Sequence, residues 1–317
     1  MWWELIEQIF PYAIAYTIPL LITALGGLYS ERSGVVNIGL EGLMVIGFFT
    51  SALTISRLES RLPPGTAIGL GLILATLAGA VFSLLHAFAS ITLNANQVIS
   101  GTAINMIAGA LTVYLARHIT GSGNILIMHG LIRRNIPVLS ELPVLGRLLF
   151  TQTYVTTWLV LAILLLSWFL LYRTPFGLRL RACGEHPQAA DAAGINVYRM
   201  RYIAVLLSGA CAGLGGAIIL VTYAGEFNGT VAGLGFLALA ALIFGQWKPL
   251  GILGATFFFG LASTIANVSQ ALPALAKVPG IFLKNFPYIV TLLVLVFFSK
   301  STQAPRAAGE PYDKGKR

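Results

Sequence analysis

"RTPFGLRLRACGEHPQAADAAGINVYRMR", Arg173–Arg201, holds five arginines, two acids and a histidine. An apolar run long enough to cross a bilayer lies on either side of it, since a span needs about 20 mostly apolar residues. The stretch is therefore a polar loop between two membrane helices, and its arginines place it on the inner side of the membrane. It holds no recognisable catalytic group. Pro175 and Gly177 interrupt the preceding span. "GEHPQAADAAGINV" reads as a short helix, with Pro187 in its first turn and Gly194 as its C-cap.

The rest of the chain fits this reading. Of 317 residues, 57% are hydrophobic and 10% charged, where a soluble domain carries about 25% charged residues. Mean hydropathy is +0.83. A water-soluble globule cannot hide that much apolar side chain. The net charge of +9 sits between and after apolar runs, which is the pattern of inner loops and not of a nucleic-acid surface. Cys183 and Cys211 stand outside any CxxC or Cys/His cluster, so neither a disulfide nor a metal site is expected.

Candidate spans lie at 11–29, 36–56, 66–92, 95–117, 154–172, 202–222, 230–247, 249–269 and 286–299. The expected class is an all-α integral membrane protein of roughly 8–10 helices, with an inverted-repeat-like core and broken or re-entrant helices. Residues 1–300 form the transmembrane domain, with 173–201 as its cytoplasmic loop. Residues 301–317 form a basic, polar tail expected to be cytoplasmic and disordered. The N-terminus lacks the basic start of a signal peptide, and Trp2 and Trp3 suit the interface. Segment 118–153 falls on the outer side by this count, yet carries Arg133, Arg134 and Arg147. Its proline-broken apolar pieces suit the outer interface.

Two Gly-rich segments, "GVVNIGLEGLMVIGFF" (34–49) and "TVAGLGFLALAALIFG" (230–245), resemble each other and cross in opposite directions. Interrupted, inverted repeats are a recurrent transporter plan. No GxxxxGK[ST], HExxH, GxSxG or CxxC occurs. His86, His118, His129 and His186 match no metal spacing. His86 reads as a satisfied buried histidine or as a proton relay.

Polar groups inside spans cost free energy and need a reason. Asn37 and Glu41 lie four residues apart on one helical face. They face a polar cavity or brace a broken helix, unless Glu41 merely reaches the inner interface. Asn94, Asn96, Gln97, Ser100 and Asn105 offer donors and acceptors suited to a neutral polar ligand such as a sugar or a nucleobase. Amides also bond helices to one another. Glu226, Phe227 and Asn228 stand at an outer helix end, as a gate with a ring to stack or as a plain turn. Gly209, Gly213 and Gly216 permit close helix crossings.

"GLRLRACGEHPQAADAAGINVYRMR" (177–201) resembles the coupling segment of ATP-binding cassette (ABC) importer permeases. "SERSGVVNIGLEGLMVIG" (30–47), "LNANQVISGTAIN" (93–105) and "GLGFLALAALIFGQWKPLG" (233–251) resemble the nucleoside, chiefly purine nucleoside, branch of the branched-chain amino acid and simple sugar permease family. Members of the sugar branch begin the second span with a charge, where Asn37 stands here. The resemblance implies a non-catalytic permease in a bacterial plasma or inner membrane, with its C-terminus cytoplasmic. It implies a second permease subunit, like or unlike, two cytoplasmic ATPases and an external solute-binding protein. ATP and Mg²⁺ then belong to the ATPases, and this chain binds no cofactor. Gly184, Glu185, Pro187, Ala189, Ala190 and Gly194 fall on the coupling motif. Asn37, Glu41, Asn94, Asn96, Gln97, Asn105, Phe227 and Asn228 are the candidates for the translocation pathway. Permeases for simple sugars or branched-chain amino acids are the alternatives within the class. An ion-driven secondary transporter needs membrane-embedded carboxylates, of which Glu41 is the candidate. A membrane enzyme needs a cluster of acids, histidines or metal ligands, and the sequence offers none.

Overall fold

A computed structural model describes residues 2–144, 146–268, 285, 286, 289 and 303–315. Ten α-helices are described: α1 (Trp2–Arg32), α2 (Leu40–Leu58), α3 (Pro64–Ala87), α4 (Gln97–Thr120), α5 (Val155–Arg173), α6 (Pro175–Glu185), α7 (Pro187–Ala192), α8 (Val197–Ile219), α9 (Leu234–Phe244) and α10 (Pro249–Val268). Among the described residues, seven are long and apolar enough to cross a membrane: α1 to α5, α8 and α10. The expected span at 286–299 lies outside the described residues.

The helices sort into an inner and an outer set. The apolar windows of α1, α2 and α8 are 67–78% buried, against 22–33% for α3, α4 and α5. Helix association in lipid has no hydrophobic drive and depends on close packing. Small residues supply it here, as the sequence predicts for α8. A Cβ on Gly216 of α8 would overlap the Met44 carbonyl oxygen of α2, and one on Gly47 of α2 would overlap the Gly213 carbonyl of α8.

Two expectations about spans change. The span expected from residue 36 begins at Leu40, because 33–39 is non-helical. The span expected at 230–247 keeps only the 11 helical residues of α9. At ~1.5 Å per residue that is about 16 Å, half of a ~30 Å hydrocarbon core. Apolar content misleads there because the run continues through a non-helical approach in which Val231 is buried.

Segment 118–153 lies at the end of the bundle away from α6 and α7. Its β1 (Ile125–Leu126) pairs antiparallel with β2 (Glu226–Phe227). Its arginines have partners: Arg133 stacks on Tyr12 and bonds the Tyr154 hydroxyl, and Arg147 pairs with Glu7 at 3.2 Å. At the opposite end, Arg32 Nη2 donates to the Trp247 carbonyl at 2.8 Å, and the Trp247 indole donates to Glu31 at 2.5 Å. These bonds tie the end of α1 to the turn between α9 and α10.

The expected disorder of 301–317 is corrected over 303–315. That segment packs against the 33–39 turn, the end of α6 and the start of α8, and Ala307 and Tyr312 are buried. Its polar composition says nothing of partners that other elements supply.

Candidate functional site

The non-helical stretch 33–39 leaves backbone groups without helical partners inside the membrane domain. Such a break is tolerated only where other groups satisfy it. Side chains from α3, α4 and α8 do this. The Val36 N–H donates to Gln97 Oε1 at 2.6 Å, and the Val36 carbonyl lies 3.1 Å from His86 Nε2. Asn105 spans the break, donating to the Ile38 carbonyl at 3.0 Å and accepting from the Gly42 N–H at 2.7 Å. Asn37 accepts from Gly39 N–H at 3.1 Å and donates to Ser208 Oγ of α8 at 3.0 Å. His86 Nδ1 meets Ser100 Oγ at 3.0 Å. The residue types are those the sequence singles out. Ser208 and the backbone as their common partner are not visible in it.

Glu41 is engaged by the start of α9. Its carboxylate accepts from the N–H groups of Gly233 at 2.9 Å and Gly235 at 2.7 Å. These are orphan donors at the first turn of α9, where a negative charge is also favoured by the helix dipole. The two Gly-rich segments that resemble each other thus meet through Glu41.

The remaining pathway candidates fall in two places. Asn94 is exposed with φ +52°, just before α4. Asn96 is exposed and caps α4, accepting from Val98 N–H at 2.9 Å and Ile99 N–H at 3.1 Å. At the other end Asn228 is exposed, and its side chain accepts from the Thr230 N–H of its local turn at 3.4 Å. Phe227 does not offer a free ring: it is fully buried, edge-on to Phe48 and Phe49 with centroids at 5.2 and 5.5 Å. The expectation that it stacks on a solute is corrected, because the β1–β2 pairing turns it inward.

The loop read as one short helix contains two. Thr174 caps α6, accepting from Gly177 N–H at 3.3 Å. His186 caps α7, its Nδ1 accepting from Ala189 N–H at 3.2 Å, and Pro187 takes the first helical position. Gly194 follows with φ +82°, a left-handed geometry that favours glycine. Pro187 and Ala190 face inward, while Glu185, Gln188, Ala189, Ala192, Ala193 and Gly194 are exposed. Gly184 is buried against the end of α1, where a Cβ would overlap the Arg32 carbonyl. Glu185 lies 3.8 Å from Arg32 Nη1 and its side chain is 47% exposed, so its carboxylate stays accessible. Burial pushes the neighbouring Cys183 thiol up to about 11. Among the described residues no group of three His, Cys, Asp or Glu side chains is placed to hold a metal ion.

Sequence reasoning missed Arg201 and Tyr312. Arg201 is 1% exposed, at the start of α8. It donates from Nε to the Ser33 carbonyl at 3.2 Å and from Nη1 to the Glu310 carbonyl at 3.1 Å. Only its place in an arginine-rich loop marked it, and that signal argued for exposure.

Comparison with known proteins gives consistent matches. Residues 9–299 match the family described as branched-chain amino acid transport system / permease component. The chain is 47% identical to the guanosine ABC transporter permease protein NupQ of Bacillus subtilis (strain 168), over 99% of each chain. It is 43% identical to the nucleoside ABC transporter permease protein NupC of Lactococcus lactis subsp. cremoris (strain MG1363), over 96% of each. A solved structure, an inward-facing conformation of a metal-chelate type ABC transporter, superposes with TM-score 0.52 at 15% identity. It covers 92% of this chain and 85% of that one, and the likeness is one of fold.

Proposed function

The chain belongs to the branched-chain amino acid transport system permease family, and from that premise we propose that it imports purine nucleosides as the membrane subunit of an ATP-driven transporter. The observation that carries the reading is the full-length similarity to a guanosine permease, at 47% identity. The geometry supports it. Helix α7 presents a small-residue face at one end of the bundle, as a knob for a groove on another protein. In this reading the power stroke comes from two ATPase subunits, which hold ATP and Mg²⁺, while this chain performs no hydrolysis. A second permease subunit completes the path, and an external binding protein delivers the solute. The membrane is the plasma membrane, with α7 and the C-terminus on its cytoplasmic side.

Glu185, Ala189 and Gly194 are exposed on the knob and touch the ATPase. Gly184, Pro187 and Ala190 set its seat on the bundle. Asn94, Asn96 and Asn228 are exposed and are the pathway candidates free to meet solute or the second subunit. Asn37, Glu41, Gln97 and Asn105 frame the path by holding its broken backbone. An ion-driven mechanism is disfavoured because Glu41, the carboxylate it would use, is already engaged by Gly233 and Gly235.

Cells with and without the gene are given labelled guanosine or adenosine, with excess ribose or leucine as competitors. Uptake lost with the gene, and indifferent to both competitors, is the expected result. Competition by ribose or leucine moves the substrate to sugars or branched-chain amino acids, the class in the family's own description.

A further inference from the structure

We propose that residues 303–315 form a strap that positions the coupling helix α7, with Arg201 and Tyr312 as its positioning residues. The proposal rests on the coupling reading of α7. A helix of 6 residues has no stability of its own, since isolated helices shorter than ~12 residues are marginal. Its register must come from what it packs against, and a rigid register is what transmits motion.

The strap touches each element around α7. The Ala307 N–H donates to the Gly184 carbonyl at the end of α6 at 2.9 Å. The Gly309 N–H donates to the Gly34 carbonyl in the 33–39 turn at 3.1 Å. The Tyr198 hydroxyl of α8 donates to the Tyr312 carbonyl at 3.3 Å, and the two rings meet edge-on at 5.4 Å. The Tyr312 side chain is 4% exposed although the segment around it is polar. Burial first, and then the nearby Asp191 carboxylate of α7, raise the pKa of the Tyr312 hydroxyl. The strap therefore joins the end of α6, the 33–39 turn and the start of α8, with Tyr312 beside Asp191 of α7.

Arg201 fastens this arrangement. A buried cation is costly unless its donors are used. Its described acceptors are two carbonyls, Ser33 on the turn and Glu310 on the strap. Nη2 is buried without an acceptor among the described residues. Release of the strap then strips a further bond from an already under-satisfied charge, so the docked state is favoured. The planar fork of arginine suits this bridging, and a lysine cannot reproduce it.

The test uses the full transporter, with its ATPase and binding-protein subunits, in a Cys211→Ser background that leaves Cys183 as the remaining thiol. Cys183 is fully buried, beside the Gly184 carbonyl that holds Ala307. Tyr312→Ala and Arg201→Lys are compared with the parent and with Glu185→Arg. The expected result for both strap variants is faster labelling of Cys183 and a severalfold fall in solute moved per ATP hydrolysed, with the ATPase still co-purifying. A merely structural role lowers transport and hydrolysis together and leaves their ratio unchanged, which overturns the strap. Loss of coupling in Glu185→Arg with normal labelling and ratio in both strap variants overturns the strap alone. Normal coupling in Glu185→Arg overturns the reading of α7, and the strap with it. A strap variant that fails to assemble is replaced by truncation after Thr302, judged by the same ratio.

Discussion

The carboxylate of Glu41, one residue into α2, accepts a 2.7 Å hydrogen bond from the backbone N–H of Gly235 in α9. The same carboxylate accepts from Gly233 at 2.9 Å. One acid thus closes the open end of a half-length helix that has no other side-chain cap. Without it, the Gly233 and Gly235 N–H groups lose their described acceptor. The costly charge and the costly helix end cancel each other.

Glu41→Ala removes both bonds. At about 1–3 kcal/mol for each unmade buried bond, the loss over the two bonds is about 2–6 kcal/mol. We expect a lower inactivation temperature in detergent and reduced uptake. Glu41→Gln keeps one acceptor oxygen and falls between the parent and the alanine variant. Equal thermal stability of all three proteins contradicts the cap.

Gly216→Ala places a methyl group against the Met44 carbonyl, where α2 and α8 cross. Overpacking of this kind costs about 1–3 kcal/mol. Gly109→Ala on α4 is the control, because a Cβ there meets nothing within 4 Å. Expression and thermal inactivation should suffer in the first and stay at the parent level in the second.

Asn105→Leu leaves the Ile38 carbonyl and the Gly42 N–H unmade, whereas Asn94→Gly disturbs no described hydrogen bond and suits the φ of +52° at that position. The first should lower both stability and transport. The second should leave stability intact, so that any change in its uptake reports contact with solute or the partner subunit. Unchanged stability in Asn105→Leu returns that residue to a lesser packing role.

The Cys183 thiol carries a pH signature. Its ordinary value of 9.0 is raised to about 11 by burial. The folded state holds this proton more tightly than the unfolded state. The group is therefore neutral to stability below about pH 9 and destabilises as pH climbs from there through about 11. Alkylation of Cys183 in a Cys211→Ser background should reach its half-maximal rate well above pH 9. A midpoint at pH 9 indicates an exposed thiol.

Much of the bundle was legible because hydropathy reports what lipid requires. The spans of α3, α4, α5 and α10 agree with it to within a few residues. The amides were legible as costly groups, since Asn37, Gln97 and Asn105 had to have partners. That the partner is a break at 33–39 was not, because a broken helix and a continuous one carry the same apolar residues. Helix α9 was overextended for the same reason. Phe227 was misplaced because the strand that turns it inward pairs with Ile125, about a hundred residues away in sequence. The strap was missed because its order comes from Arg201, Gly184 and Gly34, and nothing in "APRAAGEPYDK" shows those partners.

In the proposed mechanism this chain moves nucleosides by engaging a separate ATPase through α7. The most direct measurement is guanosine accumulation in vesicles reconstituted with the permease, its ATPase and its binding protein, with ATP enclosed on the α7 side. The proposed mechanism requires accumulation that needs ATP, survives collapse of ion gradients and is lost in Glu185→Arg. Accumulation driven by an ion gradient without ATP, or unchanged in Glu185→Arg, contradicts it.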